Sequence, residues 1–153
     1  MTAELLDKFK DSITELDNGS LLIDAASWEK VSKYIKDDLN FDYLMCVTSY
    51  DLYPENKLGL AYNFYSNSKK VYLEIRIEFS EEEEIFSVAN IWRTADWHER
   101  EAYDLMGIKF VGHPDMKRIL LDEDWEGHPL RKTYETPEYY NGMPVPKDKT
   151  YWE

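Results

Sequence analysis

The sequence has one cysteine, Cys46, and three histidines among its 153 residues. One thiolate cannot close an intrachain disulfide, and by itself it cannot hold an iron–sulfur cluster or a zinc finger. His98, His113 and His128 lack the short helical spacing of zinc hydrolases such as H-E-x-x-H. The sequence therefore predicts no metal site, and any redox role would depend on the cofactor of a partner.

Positive charge is scarce in this sequence. Eighteen Lys and Arg residues stand against 31 Asp and Glu residues, which gives a formal net charge of −13. This charge repels nucleic-acid phosphates and the anionic face of a membrane, so we expect neither as a direct partner. No apolar run approaches the ~20 residues that cross a bilayer, and the N-terminus lacks the features of a signal peptide. We expect a cytoplasmic chain without a membrane span.

Motifs of enzyme chemistry are also missing. The sequence contains neither the G-x-S-x-G elbow of serine hydrolases nor a glycine-rich phosphate loop. Cys46 falls within a predicted strand, where a thiol is more often part of the core than a nucleophile. We therefore predict no catalytic, cofactor-binding or metal-binding residue in this chain.

What is present is the pattern of one small folded domain. Hydrophobic residues make up 43% and aromatic residues 15% of the chain, enough for a single core. Apolar residues at helical spacing predict an amphipathic helix over residues 2–13 and another over residues 24–38, capped by Asp24. A short strand is expected between them, at residues 21–23.

Longer strands are predicted to follow these two helices. Residues 41–53 are rich in β-branched and aromatic types, and a turn at 54–56 precedes a second strand through 60–64. Residues 71–79 alternate strictly between apolar and polar types, which predicts an antiparallel sheet with one face on a core and the other facing solvent or a partner. The four glutamates at 81–84 are interpreted as a solvated turn without a ligand. The fold class is α+β, with both early helices on the apolar face.

A further, charged helix is predicted from a cap at Thr94 to Met106. It ends at Gly107, which can adopt the left-handed conformation that terminates helices. After this point the hydrophobic periodicity disappears. We therefore predict a compact domain over residues 1–107 and an extended docking tail over residues 108–153.

The charges of this helix follow its spacing. Asp96, Arg100 and Asp104 lie four residues apart on one face, and His98 and Glu101 can pair on another. Two interpretations stay open. In the first, the helix is exposed and its ion pairs are worth only ~0.3–0.5 kcal/mol each. In the second, the arginine and its two neighbouring glutamates make charge-assisted bonds to the tail or to a partner.

The tail alternates kinks with groups suited to docking. It contains Gly-His-Pro at 112–114 and again at 127–129, and each proline disfavours helix at the histidine before it. Between them lie an apolar patch at 118–121 and a tryptophan between acids at 124–126. These features are typical of a segment that wraps over another surface and becomes ordered mainly on binding.

Residues 96–132 carry a resemblance to a known family. The matching types are Trp97, Glu99-Arg100-Glu101, Tyr103-Asp104-Leu105, Gly107-Ile108, Phe110, Gly112-His113-Pro114, Arg118-Ile119-Leu120-Leu121, Asp124-Trp125 and Gly127-His128-Pro129-Leu130-Arg131-Lys132. This stretch closely resembles the signature of the C subunit of respiratory complex I, the proton-pumping NADH:quinone oxidoreductase (NDH-1) family. Residues 1–90 share only the general layout. Met106 and Lys117 depart from the usual family pattern, and Lys117 lacks the planar fork of an arginine.

The resemblance implies a cofactor-free scaffold subunit of the peripheral arm, without chemistry of its own. Partner subunits would carry FMN and the iron–sulfur clusters that pass electrons from NADH to quinone, coupled to proton translocation. The implied partners are the large quinone-site subunit, to which this chain is not expected to be fused, and the cluster-bearing subunits. The complex would lie on the cytoplasmic side of the plasma membrane. The residues that the resemblance assigns to partner interfaces are Trp97, Glu99, Arg100, Glu101, Asp104, His113, Arg118, Trp125, His128, Arg131 and Lys132.

Two further interpretations stay open from the sequence. The chain could be the equivalent subunit of a membrane-bound hydrogenase or of a ferredoxin-fed quinone reductase, because these assemblies use similar modules. A more distant interpretation is an independent acid–base enzyme that uses Glu99, Glu101 and His98. A strongly raised glutamate pKa would favour that enzyme.

Overall fold

The computed structural model describes residues 2–145. Three α-helices and nine strands follow one another along this part of the chain. They are α1 (Thr2–Lys8), β1 (Ile13–Glu15), β2 (Leu21–Ile23), α2 (Trp28–Asp37), β3 (Tyr43–Asp51), β4 (Lys57–Ser66), β5 (Val71–Ser80), β6 (Glu84–Phe86), α3 (Ala95–Met106), β7 (Lys109–Val111), β8 (Tyr139–Tyr140) and β9 (Met143–Pro144).

The main sheet has five strands in the order β1-β2-β5-β4-β3. Strands β3, β4 and β5 form an antiparallel meander, and β1 is also antiparallel to β2. Within this sheet only the β2–β5 pair is parallel. The predicted α+β class with a mainly antiparallel sheet is therefore confirmed.

The core lies between this sheet and the helices. Leu73, Ile75, Ile77 and Phe79 of β5 are buried, as their alternation predicted. From α2, Trp28 is buried and its ring centroid lies 4.6 Å from that of Tyr62 on β4; Val31 and Ile35 are also buried. Each fully buried apolar side chain of this size contributes about 1.5–3 kcal/mol. Helix α3 packs against β3, at the edge of the sheet.

Two local predictions were wrong, and a third was correct in position only. The first helix ends at Lys8, and Ile13 instead begins β1, where it pairs with Ile23 and reaches the core. Asp24 does not cap α2, because a 3-10 turn at Ala25–Ser27 lies between them. Thr94 is the N-cap residue of α3, as predicted, but its side chain makes no capping bond, since its hydroxyl donates to the carbonyl of Leu44 at 3.3 Å. Tertiary pairing overrides local propensity at each position.

A second, two-stranded sheet fixes the chain on both sides of α3. Strand β6 precedes the helix, β7 follows it, and the two pair in parallel. The amide of Ser87 extends this pairing by donating to the carbonyl of Val111 at 2.9 Å. The tail therefore starts beside the loop that leads into α3. Cys46, predicted to be core, is half-buried at a bulge of β3, where its Sγ accepts a hydrogen bond from Asn63.

Candidate functional site: a tail fastened to the last helix

Asp104, in the last turn of α3, is the centre of the attachment between the helix and the tail. Its side chain is fully buried. The Oδ2 atom accepts hydrogen bonds from three consecutive backbone amides of the tail, Ile119 at 2.9 Å, Leu120 at 2.7 Å and Leu121 at 3.0 Å. The Oδ1 atom accepts a bond from Nη1 of Arg118 at 2.7 Å. One carboxylate therefore orders four successive tail residues.

The electrostatics of Asp104 agree with this geometry. Burial alone would raise its pKa, but the amide bonds from residues 119–121 and the guanidinium of Arg118 more than offset burial. The pKa of Asp104 is therefore lowered from its ordinary value of 3.8. The carboxylate stays charged at neutral pH, and charge-assisted hydrogen bonds are about twice as strong as neutral ones.

Arg118 closes the loop that follows. Its Nη1 also donates to the main-chain carbonyl of Asp104 at 3.1 Å, while Nη2 donates to the carbonyls of Trp125 at 3.0 Å and Gly127 at 3.1 Å. The planar guanidinium thus joins the helix to both ends of a tail loop. A lysine could not make these four bonds with the same geometry.

The C-terminal carbonyls of α3 are satisfied by the tail. The last carbonyls of a helix have no partner within the helix, and its C-terminus carries partial negative charge. Nδ1 of His128 lies 2.9 Å from the carbonyl of Asp104, the amide of Leu130 donates to Leu105 at 3.1 Å, and Nε of Arg131 donates to Met106 at 2.7 Å. The tail is a cap for this helix end.

Gly107 allows His128 to approach. As predicted, it ends α3 in the left-handed conformation, with φ 72°. A Cβ at this position would lie 2.5 Å from Cδ2 and Nε2 of His128. The glycine is therefore required twice, for its backbone angle and for the space above it.

Two further bonds join the tail to the main sheet. Nη1 of Arg131 donates to Oε2 of Glu81 at 2.7 Å, and the amide of Lys132 donates to Oδ2 of Asp51 at 2.8 Å. Glu81 was interpreted as part of a solvated turn without a ligand. The structure corrects this at one position of the run, because Glu81 binds the tail.

Trp125 has a different environment from the other predicted interface residues. Its ring lies 4.8 Å from that of Tyr140, centroid to centroid. The hydroxyl of Tyr140 lies 2.7 Å from Oδ2 of Asp122 and 2.9 Å from Oδ1 of Asp124, and its one hydrogen is shared between them. These two acids and burial raise the pKa of Tyr140 above its ordinary value of 10.0. The indole Nε1 of Trp125 is buried without a hydrogen-bond partner among the residues that the structure describes.

Glu99 is the second fully buried carboxylate of α3, and it faces away from the C-terminal attachment. Oε2 accepts a hydrogen bond from the hydroxyl of Ser87 at 2.5 Å, and Oε1 accepts one from the amide of Val88 at 2.8 Å. Burial raises the pKa of Glu99 to about 7; the negative charge of Asp96 adds to the rise, and the two hydrogen bonds oppose it. This carboxylate connects α3 to the loop before it.

His113 fixes the start of the tail beside Glu99. Its side chain has no exposed surface, and its Nδ1 accepts a bond from the amide of Asp115 at 3.1 Å. Nε2 therefore carries the hydrogen in the neutral ring. Nε2 lies 3.3 Å from the carbonyl and 3.4 Å from Oδ1 of Asp96, and 4.0 Å from Oε2 of Glu99.

Some of the remaining predicted residues of α3 are exposed, as in the first interpretation of this helix, and one bonds to the tail, as in the second. Arg100 is buried, lies 4.8 Å from the ring of Trp97, and donates from Nε to the tail carbonyl of Lys117 at 3.3 Å. Trp97 is 61% exposed, and Glu101 is also exposed. The interpretation of an exposed helix is therefore wrong for Arg100. Asp104 shares the predicted spacing with Arg100 but binds Arg118 of the tail.

An acid–base enzyme is not favoured by this arrangement. The raised pKa of Glu99 is the property that such an enzyme would need, but its side chain has no exposed surface and both oxygens already accept hydrogen bonds. His98 and Glu101 lie apart from it, along a groove between α3 and β3. Within residues 2–145 no group of three or more His, Cys, Asp and Glu side chains could hold a metal ion.

Comparison with known proteins finds relatives whose sequences align with nearly the whole chain. The C subunit of the NADH-quinone oxidoreductase of Chloroherpeton thalassium is 45% identical over 151 residues, which cover 92% of this chain and 62% of the relative. The protein of the same name from Chlorobium phaeobacteroides is 39% identical over 150 residues, which cover 92% of this chain and 90% of the relative. The chain thus spans less than two thirds of the first relative and most of the second.

Solved structures contain the same fold. A chain of the membrane-bound sulfane sulfur reductase (MBS), an archaeal respiratory membrane complex, superposes with a TM-score of 0.74 at 18% identity and covers 88% of this chain and 83% of that one.

No helix in the described part of this chain is long and apolar enough to cross a membrane.

The fold and the attachment together define a class of protein: a small α+β chain with a C-terminal segment fastened across its last helix. Residues 21–140 match the family described as "Respiratory-chain NADH dehydrogenase, 30 Kd subunit". The chain belongs to this family, and the resemblance found in the sequence is confirmed. The interface residues assigned through it stay predictions, although most of them make contacts within the chain.

Proposed function

We propose that this chain is a cofactor-free scaffold subunit of the peripheral arm of an NADH:quinone oxidoreductase. In this proposal its partners are the large quinone-site subunit and the subunits that carry FMN and iron–sulfur clusters, on the cytoplasmic side of the membrane. The complex transfers electrons from NADH to quinone and couples this to proton translocation. The observation that carries the proposal is the 39% identity to the Chlorobium phaeobacteroides relative, 90% of which is covered.

The attachment of the tail suggests how such a scaffold acts. A quinone cavity works only if its side chains stay within a fraction of an ångström of their working positions, and packed neighbours supply that rigidity. A tail bound by Asp104 and Arg118 is already shaped, so less conformational entropy is lost when it docks on another subunit. The chain would support the cavity wall without contacting quinone.

Purification of the assembly tests this proposal. An affinity tag on the full chain, followed by gentle solubilisation of membranes from its source, should recover a large complex with iron–sulfur absorption and NADH:quinone activity. Recovery of the chain alone would contradict the proposal. Activity with hydrogen or ferredoxin instead of NADH would assign the chain to one of the related assemblies.

Variants of the tail test the scaffold role itself. Trp125→Ala or Arg131→Ala should lower the amount of assembled complex and the activity per membrane, while the apparent quinone KM of the complexes that form stays nearly unchanged. Lys10→Ala is the matched control, because its ion pair with Asp7 is exposed and lies far from the tail in sequence. A large KM change in fully assembled complexes would contradict a pure scaffold role.

A further inference from the structure

Strand β3 is the last strand in the order of the main sheet, so one of its edges faces away from the other strands. A groove of about 260 Å3 lies beside it, and residues 46–49 of the strand form one wall. Successive side chains of a strand point to opposite faces, so a groove lined by four consecutive residues follows the main chain along the strand edge. Helix α3 and the tail form the other wall, through His98, Glu101, Ala102 and Leu130.

The pairing of β3 with β4 shows which main-chain groups face this groove. In an antiparallel pair, alternate residues bond to the neighbouring strand, and the residues between them direct their N–H and C=O groups away from it. The amide of Leu52 donates to the carbonyl of Lys57, and this bond fixes the alternation, so that Thr48 bonds to β4. The main-chain groups of Val47 and Ser49 therefore point outward, along the groove.

The chain itself covers both ends of this edge. A bulge interrupts the pairing after Leu44, whose carbonyl accepts a hydrogen bond from the hydroxyl of Thr94 at 3.3 Å. At the other end the amide of Lys132 donates to Oδ2 of Asp51 at 2.8 Å. Between these two points, the outward main-chain groups make no hydrogen bond within the described part of the chain. An open edge of about three residues, roughly 10 Å long, is therefore left at 47–49.

We propose that an extended segment of a partner subunit adds to this open edge of β3 as a further strand. Unpaired N–H and C=O groups at a sheet edge are a template for an extended chain. Each residue offers one donor and one acceptor, so Val47 and Ser49 can form up to about four main-chain bonds with the added segment. The inference rests on the proposed function, because it gives the partner subunit one place on this chain.

The charge of the groove indicates the composition of the added segment. Glu101 lines the groove, is exposed, and makes no hydrogen bond or ion pair among the residues that the structure describes. The chain has a net charge of −13, so a second copy of it would be repelled. A segment of a different subunit that places a Lys or Arg near Glu101 fits better. Leu130, which is 55% exposed, offers contact to an aliphatic side chain of the same segment.

Amide exchange at single residues tests the strand pairing, because main-chain bonding alternates along β3. In the isolated full chain, the amide of Thr48 should exchange slowly and those of Val47 and Ser49 faster. In the assembled complex, the amides of Val47 and Ser49 should slow at least about tenfold, and that of Thr48 should change little. Labelling in each state, followed by quenching and NMR of the recovered 15N-labelled chain, measures all three rates.

The same measurement separates the other possible occupants. Unchanged rates for Val47 and Ser49 in the complex would overturn the proposal. Slow exchange of both amides in the dilute isolated chain would mean that the chain closes its own edge. Protection that increases with the concentration of the chain alone would assign the edge to a second copy. Either result would overturn the pairing with a partner subunit.

Ser49→Pro tests the pairing through assembly. Proline removes the outward N–H and leaves the bonds to β4, because strand edges accept proline where its N–H is not used in pairing. Retention of the tagged subunit in the complex should fall roughly tenfold. Ser49→Ala is the matched control, since it keeps the N–H, and its retention should be unchanged. Equal retention of the two variants would overturn the proposal, and urea unfolding of each isolated chain checks that the fold persists.

Glu101→Gln tests the charge of the partner segment. Retention at 0.1 M NaCl should fall about threefold, and its dependence on salt should decrease. Glu82→Gln removes one charge from an exposed position outside the groove and should have no effect. Equal retention of these two variants would overturn the assignment of a basic segment.

These tests separate the inference from the proposed function. Recovery of a respiratory complex in which Val47 and Ser49 exchange as fast as in the isolated chain would reject the added strand and leave the scaffold role standing. Recovery of the chain alone would reject the scaffold role and, with it, the pairing with a partner subunit.

Discussion

Two buried carboxylates of one helix behave in opposite ways. Glu99 and Asp104 are both fully buried on α3, yet burial dominates at Glu99 and raises its pKa to about 7, whereas hydrogen bonds dominate at Asp104 and lower its pKa. Glu99 accepts two hydrogen bonds, one from a neutral hydroxyl and one from an amide. Asp104 accepts three amide bonds and a guanidinium bond. At Asp104 the four donors outweigh the effect of burial on the pKa, whereas at Glu99 two donors do not.

The comparison assigns different tasks to the two halves of α3. The Glu99 half holds the loop before the helix and can lose its charge near neutral pH at little cost. The Asp104 half sits at a helix C-terminus, where negative charge is unfavourable, so it depends on donors that the tail supplies. The negative charge of Asp104 holds the tail, and the donors of the attached tail stabilise that charge. The charged state of Asp104 and the attachment of the tail therefore depend on each other.

The largest expected effect is that of Asp104→Ala. It leaves three amides without an acceptor and Arg118 without its carboxylate, which together cost roughly 3 kcal/mol or more for the docked tail. Amide exchange at residues 119–121 should accelerate at least about 100-fold by the same free-energy conversion. Hydrogen exchange of the isolated chain, read by mass spectrometry or NMR, measures this directly.

The control for this variant is Asp115→Ala, which removes an exposed tail carboxylate paired with Lys117. Its effect should stay below about 0.5 kcal/mol. The wild-type measurement also decides the expectation that the tail becomes ordered mainly on binding. If exchange from Lys109 onward is already fast in the wild-type chain and does not respond to Asp104→Ala, the attachment described above is not populated in the isolated subunit.

Glu99→Gln should remove a pH dependence of opposite sign to that of Asp104. The native pKa of Glu99, about 7, exceeds the ordinary 4.5. Its contribution to stability is therefore fully present below about pH 4.5 and is lost as pH rises to 7, with a total change of about 3 kcal/mol. The free energy of unfolding from urea titrations at several pH values, compared between wild type and variant, gives this difference.

Asp104 provides the internal control for this pH series. Its native pKa lies below 3.8, so its contribution is present above that pH and is lost as pH falls further. Tail protection should therefore disappear in acid in both wild type and Glu99→Gln. A pH dependence that persists unchanged in Glu99→Gln would contradict its assignment to Glu99.

Much of the frame of this site could be predicted from the sequence. The alternation of 71–79, the helix through Met106 and its end at Gly107 were correct, because each depends on local periodicity or on the backbone freedom of one residue. The resemblance singled out Asp104 and Arg118, as partner-interface residues, and the structure shows that they bind each other. These signals depend on neighbouring residues or on the identity of one residue, and both can be read from a single sequence.

The partners of the buried charges could not be predicted. Three of the four donors to Asp104 are backbone amides, and every residue except proline carries one, so the sequence does not mark them. Ser87 and Glu99 are twelve residues apart, with a turn between them, and no periodic pattern connects them. The helix looked exposed because charged residues usually are, and only the tertiary fold shows which of them lie inside.

Gly107→Ala tests the contact between the Asp104 half of the helix and the tail. It introduces strain at φ 72° and a Cβ 2.5 Å from His128, so we expect a loss of about 2 kcal/mol in the free energy of unfolding. Gly19→Ala is the matched control, because it has φ 81° but nothing within 4 Å of the added Cβ. Its expected cost is about 1 kcal/mol from strain alone. Equal costs would mean that His128 moves aside freely.

The smallest effect is expected for the bond between the tail and the turn after β5. A double-mutant cycle of Glu81→Ala and Arg131→Ala isolates their pair from the bond that Arg131 makes to Met106, and its coupling should be about 0.5–1 kcal/mol because both side chains are partly exposed. The cycle of Glu74 and Arg76, a pair of similar exposure within β5, is the control. The Glu74–Arg76 pair joins neighbouring residues of one strand and not two distant parts of the chain. Its coupling energy should therefore be weaker, and its loss should not change amide exchange in the tail. Zero coupling for Glu81 and Arg131 at low salt would mean that the tail is not held at this turn and is attached at the helix end around Asp104 and at Asp51 of β3.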